Sequence, residues 1–127
     1  MAATKVLILG AGGHGRVVLE ALRSTGLKAA FLDGALRGRE IDGATVEGGD
    51  ERLDALSPKR VLLAVGVGVG ASCDVFRRRA VYEAASAKSF LFPPVVAASA
   101  IVSKLARLDD GAQVLTRAVV HPGACIG

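Results

Sequence analysis

Tryptophan is absent and only 4% of the residues are aromatic, so a stacking surface for single-stranded nucleic acid has almost nothing to be built from. No nucleic-acid partner is expected. Cysteine is nearly as scarce, since Cys73 and Cys125 are too few and too far apart for a disulfide framework and neither has a CxxC partner for zinc. Reduced thiols in a cytoplasmic protein, with no metal site, are the expectation. Long apolar runs are missing too: the stretch from Val61 to Ala71 is 11 residues and interrupted by glycines, against about 20 for a membrane span. No span is expected. Met1 to Gly10 has a single lysine, an apolar run only from Val6 to Leu9, and then glycines where a cleavage site would need small residues. No secretion signal is visible.

What is present suits a folded chain. Of 127 residues, 51% are hydrophobic and 22% charged, with 16 glycines and a formal charge of +4. That combination can bury a core, and its length fits one ordinary domain or one domain plus part of another.

The first two thirds alternate β and α. Lys5 to Leu9 reads KVLIL, a continuous run of the kind found in a strand covered on both faces. Gly10-Ala11-Gly12-Gly13-His14-Gly15 follows, and Val17, Val18, Ala21 and Leu22 then recur at helical spacing until Ser24-Thr25-Gly26. Ala29 to Leu32 predicts a second strand ending at Asp33-Gly34. Ala35 to Asp50 reads as a loop with a short strand near Thr45-Val46, and Glu51 to Leu56 as a brief helix. Arg60 to Val65 predicts another buried strand, closed by the glycine-rich turn Gly66 to Gly70. Ser72 to Lys88 predicts a helix with Val75, Arg79 and Tyr82 on one face and Arg77, Arg78 and Arg79 as solvated surface. Residues 1 to 91 therefore predict a small doubly wound, Rossmann-like parallel sheet with helices on both faces.

After Pro93-Pro94 the pattern changes. Val96, Val102, Leu108, Val114, Val120 and Ile126 are spaced by six, and Ala100, Ala106, Ala112, Ala118 and Ala124 stand two residues before the last five of them. A helix repeats near 3.6 and a flat strand at 2, so a strict six predicts a β-helix with one hexad per side, the aliphatic residue inside and the alanine at a tight corner. Residues 92 to 127 form the beginning of this second, incomplete domain.

Gly10, Gly12 and Gly15 satisfy G-x-G-x-x-G directly after a strand and at a helix start, and Asp33 stands 18 residues beyond Gly15 at the end of the next strand. Without a Cβ, Gly10 and Gly12 permit a tight turn and close backbone approach, while the helix start offers free N–H groups and a positive dipole end to a phosphate. Asp33 is placed to accept hydrogen bonds from a ribose hydroxyl or a base N–H. Spacing alone leaves His14 open between a ligand contact and a bond to a loop carbonyl, and leaves Gly66 to Gly70 open between a flexible turn and a ligand wall.

A Gly-Gly-His-Gly loop opening a small α/β domain, followed by hexapeptide repeats, resembles the sugar O- and N-acyltransferases of the sialic acid O-acetyltransferase and nucleotide-sugar N-acetyltransferase type. The likeness is carried by ILGAGGHGRVVLEAL at residues 8 to 22, FLDG at 31 to 34, REIDGATVEGG at 39 to 49 and ARLDDGAQVLTRAVVHPGACIG at 106 to 127. It implies a first domain that binds a nucleotide-linked sugar, such as a UDP-sugar or a sialic-acid-type sugar. It also implies a left-handed β-helix that takes acetyl-CoA as cosubstrate between subunits of a homotrimer. Substrate contacts then fall on Gly10, Gly12, Gly13, His14, Asp33, Gly34 and Gly66. Two departures stand out: Val67 where the family commonly has a polar residue, and Ala97-Ala98-Ser99-Ala100 where the β-helix usually opens with His-Pro-Ser-Ala.

The family's catalytic histidine lies in a coil beyond the point matching Gly127, and Val96 to Gly127 supplies 32 residues, under two coils at about three hexads per coil. The chain reads as a truncated form that transfers no acetyl group by itself. His121, at an outward-facing corner after Val120, is the alternative candidate for a base. Two other readings compete with an acetyltransferase part: an NAD-type redox or sensor domain, and a non-catalytic nucleotide-sugar-binding or assembly module.

Overall fold

A computed structural model describes residues 5–69 and 75–127. Gly70 and Cys73, and the predicted helix residues Ser72 to Asp74, lie outside the described residues. The chain runs β1 (Lys5–Leu9), α1 (Gly13–Ser24), β2 (Ala29–Leu32), β3 (Glu40–Ile41), β4 (Ala44–Thr45), a 3-10 segment (Asp50–Ala55), β5 (Val61–Val65) and α2 (Val75–Ala87). Three strands form one sheet in the order β2-β1-β5, all parallel, with Ile8 beside Phe31 and Leu7 beside Leu63.

The unbroken apolar run of β1 follows from its central position, because alternate side chains serve different layers. Val6 and Ile8 pack with Val18, Leu19 and Leu22 of α1, whereas Leu7 and Leu9 pack with Leu53 of the 3-10 segment and with Ala85, Val81 and Tyr82 of α2. Helices thus cover both faces, as the alternation predicts.

Three local expectations are corrected. In α1 the buried stripe is Gly15, Val18, Leu19, Ala21 and Leu22, and Val17 is 40% exposed. Leu19 falls on the stripe through Gly15, Val18 and Leu22, and Val17 lies a quarter-turn outside it. In α2, Val75 is 51% exposed and Arg79 pairs with Glu83 at 2.7 Å on the solvent side, while Tyr82 turns inward onto Phe92 with ring centroids 4.8 Å apart. In the stretch read as a loop with a short strand near Thr45-Val46, that strand is β4, and the correction is its antiparallel partner β3, the hairpin turning at Asp42 (φ 50°) and Gly43 (φ 78°). Two consecutive positive φ values suit an Asp-Gly pair and match the twist of a two-residue hairpin. Val46 then forms a parallel bridge to Phe31.

Beyond Pro94 come six two-residue strands: β6 (Val95–Val96), β7 (Ile101–Val102), β8 (Arg107–Leu108), β9 (Gln113–Val114), β10 (Val119–Val120) and β11 (Cys125–Ile126). Each pairs in parallel with the strand three places on, so that Val96 stacks on Val114, Val102 on Val120 and Leu108 on Ile126. The hexad period is therefore one side of a three-sided coil, as at the start of a β-helix. Inside it Ala112 is 0% exposed, Val114 3% and Val120 8%.

The repeats dock on the α/β part. Val95 and Ala97 join the core on the α1 face, the Ala98 N–H donates to Ser24 Oγ at 2.9 Å, and the Gln113 side-chain amide donates to the Val65 carbonyl at 2.7 Å. No helix among the described residues is long and apolar enough to cross a membrane.

Candidate functional site

The glycines after β1 are of two kinds. Gly10 has φ 109°, a left-handed value, and a Cβ there would meet the Gly66 carbonyl carbon at 3.1 Å. A Cβ on Gly15 would drive into the Gly10 carbonyl oxygen, and one on Gly66 into the same oxygen and into Ile8 Cγ2 at 2.6 Å. These three interlock the ends of β1 and β5 with the start of α1, so the fold itself requires them. Gly12 and Gly13 differ: neither has a positive φ, and a Cβ on either would meet nothing within 4 Å.

Gly12 is the N-cap of α1, and no side chain caps it. The first N–H groups of a 12-residue helix, with the positive end of its dipole, thus stand beside bare backbone. That end opens into a crevice of about 420 Å³ lined by Gly10, Gly12, Gly13, His14, Asp33, Gly66, Val67, Gly68, Val69 and Arg77. A second cavity of about 330 Å³ shares Gly10, Asp33, Val67 and Arg77 and continues past Gly34 to Asp50 and Glu51. All seven residues named from the sequence line one or both spaces.

Asp33 has structural work as well. Its Oδ2 accepts the Ala11 N–H and its Oδ1 the Ala35 N–H, each at 3.1 Å, which ties the glycine loop to the end of β2. Each oxygen keeps a second lone pair, so acceptor capacity remains for a ligand. Also lining the second cavity, Asp50 is exposed as a residue, yet partial desolvation of its carboxyl, together with the neighbouring charges of Glu51 and Asp33, raises its pKa above the ordinary aspartate value.

His14 does not bond to a loop carbonyl. Its Nε2 lies 2.8 Å from Gln113 Oε1 of β9, and the Gln113 Nε2 donates to the Val65 carbonyl at 2.7 Å. Arg78 joins them, donating through Nη1 to the Val67 carbonyl at 2.8 Å and through Nη2 to Gln113 Oε1 at 3.3 Å. Reading Arg78 as solvated surface is thus incorrect; burial lowers its pKa from the ordinary arginine value, and it bridges α2 to the site. The signal was present, because Arg78, Tyr82 and Ala85 share one helical stripe. Gln113 was missed because a single polar residue in the hexads has no meaning until the coil is docked on the sheet.

His121 is exposed at its corner, and Asp109, on another side of the coil, is engaged by Arg107 at 3.0 Å. Cys125 is free and exposed.

Residues 5–85, covering the sheet, the glycine loop and nearly all of α2, match the family described as the PglD N-terminal domain. The chain belongs to that family. No curated protein sequence matches it. Among solved structures, this PglD N-terminal domain protein is similar to the acetyltransferase domain of PglB from Neisseria gonorrhoeae, in complex with acetyl coenzyme A. The two share 33% identity at a TM-score of 0.88, over 98% of this chain and 58% of that one. It is also similar to a mutant perosamine N-acetyltransferase from Caulobacter crescentus in complex with CoA and GDP-perosamine. There the identity is 29% and the TM-score 0.85, over 98% of this chain and 57% of that one. The chain thus spans under two thirds of the length of these acetyltransferases, and both likenesses run through the repeats as well as the sheet.

Proposed function

We propose that this chain is the substrate-binding part of an acetyl-CoA-dependent acetyltransferase acting on a nucleotide-linked sugar. The observation that carries the reading is the pair Gly12 and Gly13, which neither backbone angle nor packing requires to be glycine. They lie at an uncapped helix N-terminus inside a crevice, where bare backbone is what a diphosphate needs for close approach. The likeness to a protein crystallised with GDP-perosamine and CoA supports the same assignment.

In this reading Gly10, Gly12, Gly13, His14, Asp33, Gly34 and Gly66 form the substrate site. The diphosphate lies at the start of α1 and the nucleoside extends toward Asp33 and Gly34. The division between substrate domain and β-helix falls at residues 91 and 92. Acetyl transfer itself joins the sugar's amine or hydroxyl to the thioester carbonyl carbon, breaks the carbon–sulfur bond, and passes the acceptor's proton to a general base as CoA leaves.

Thermal-shift and calorimetric titration with a GDP-sugar, a UDP-sugar, NAD and acetyl-CoA test the proposal. Binding of a nucleotide sugar, reproduced in part by its nucleoside diphosphate, is the expected result. Stabilisation by NAD alone would replace it with a dinucleotide-binding domain, and stabilisation by none of the four with a non-catalytic assembly module.

A further inference from the structure

The contacts around His14 determine more than its position. Gln113 presents two chemically opposite atoms, a carbonyl oxygen that only accepts and an amide nitrogen that only donates. Its side chain meets the Val65 carbonyl at one end and His14 with Arg78 at the other. Turned the other way, the amide oxygen would face the Val65 carbonyl oxygen at about the same 2.7 Å, and the amide nitrogen would face the guanidinium donors of Arg78. Both juxtapositions repel. The Val65 carbonyl and Arg78 therefore fix Oε1 toward His14.

An acceptor 2.8 Å from His14 Nε2 requires a proton on that nitrogen. The competing arrangement, an unprotonated Nε2 accepting from Arg78 Nη1, would use a contact of 3.3 Å and set two acceptors 2.8 Å apart. The shorter contact decides, since Nη1 already has the Val67 carbonyl at 2.8 Å. In a neutral imidazole one nitrogen donates and the other accepts, so Nδ1 carries the free lone pair.

We propose that Gln113 is a positioning residue that holds His14 as its Nε2–H tautomer, so that the crevice wall presents Nδ1 as a hydrogen-bond acceptor to a hydroxyl or amine of the bound sugar. The ligand half of this statement rests on the function proposed above; the tautomer half does not. Its structural consequence is that the sheet domain cannot complete its own site: β9 of the repeats supplies the group that orients a residue of the glycine loop. Gln113 acts through His14 and does not itself line the crevice.

Long-range proton–nitrogen NMR of the whole chain labelled with nitrogen-15 tests the assignment without any ligand. His121→Ala leaves one histidine and so identifies the signals. The expected spectrum for His14 shows a pyrrole-type Nε2 and a pyridine-type Nδ1. Gln113→Met, similar in length and lacking the acceptor, is expected to convert this to mixed tautomers and to weaken nucleotide-sugar binding about tenfold. Added to His14→Ala, the same substitution is expected to cost nothing further, as two residues acting through one contact require. A protonated Nδ1 in the unaltered chain overturns the proposal even if every variant misfolds, and so does an unchanged tautomer in a folded Gln113→Met. A tautomer that depends on Gln113 in a chain that binds no nucleotide sugar upholds the positioning role and refutes the functional reading alone.

Discussion

At the scale of single residues, the G-x-G-x-x-G pattern combines two requirements that letters cannot separate. Gly15 is needed by the fold, since its Cβ would occupy the place of the Gly10 carbonyl oxygen. Gly15→Ala is therefore expected to destabilise the protein by about 3 kcal/mol, the upper end for overpacking, measurable as a lower urea midpoint. Gly12→Val meets open space in the free protein, so its urea midpoint should fall only by the loss of a tolerated N-cap residue, about 1 kcal/mol, while nucleotide-sugar binding is lost. Equal affinity in that variant and the parent would refute the site. The residue order made the loop legible but not this division of labour, which depends on how β5 returns beside β1. A second expectation concerns Asp50, whose pKa is raised mainly by partial desolvation. A carboxyl whose folded pKa lies above its unfolded value favours folding while protonated and loses that contribution as pH rises through the folded pKa. Asp50→Asn should accordingly raise the melting temperature at pH 7, with the difference shrinking toward zero as pH falls below the ordinary aspartate range. A constant difference across that range would count against a raised carboxyl pKa as the cause.

At the scale of elements, legibility followed locality. The strands β1 and β5 were readable because each must satisfy two apolar layers, and the hexads because the same environment returns every six residues. Of the hairpin, β4 was legible near Thr45-Val46, but β3 and the pairing were missed although Asp42-Gly43 carries a recognised turn signal, because a two-residue strand offers no periodicity to accompany it. The face of α1 was displaced by one residue for a related reason: Val17, Val18 and Leu19 are all apolar, and only the packed partner shows which one turns outward. Within the repeats the stacked pairs make a graded prediction. Val114 is almost fully buried whereas its partner Val96 is half-buried, so Val114→Ala should cost about 2 kcal/mol and Val96→Ala about half as much. Equal losses in a denaturant series would mean that the coil interior is not where the register places it.

At the scale of the whole molecule, the three outer sides of the coil have different fates. Side chains alternate along each two-residue strand, so the first residue of each faces out when the second faces in. On the side of β6 and β9, Val95 is buried against the α1 face and Gln113 reaches His14, which makes this the seam with the sheet. On the side of β8 and β11 the outward pair is Arg107 and Cys125, in register and exposed. The third side presents Ile101 directly beside Val119, 67% and 55% exposed, with Leu105 76% exposed at the following corner. Isolated exposed aliphatics are ordinary, but two stacked in register with a third close by in the chain form an apolar strip that water disfavours. We propose that a second copy of the chain covers it, in the homotrimer that the family resemblance implies. In a trimer the strip of each subunit meets a different face of the next, a heterologous contact that closes into a ring when the rotation between neighbours is a third of a turn. Light scattering on the eluting protein should then give three times 12.9 kDa. Ile101→Asp with Val119→Asp should reduce that to a single chain and leave the thermal shift with nucleotide sugar intact, because the crevice at Gly12 is lined from the α/β part of the same chain. A monomeric parent at high concentration would remove the trimer, and a trimer that survives both substitutions would move its contact to another side of the coil.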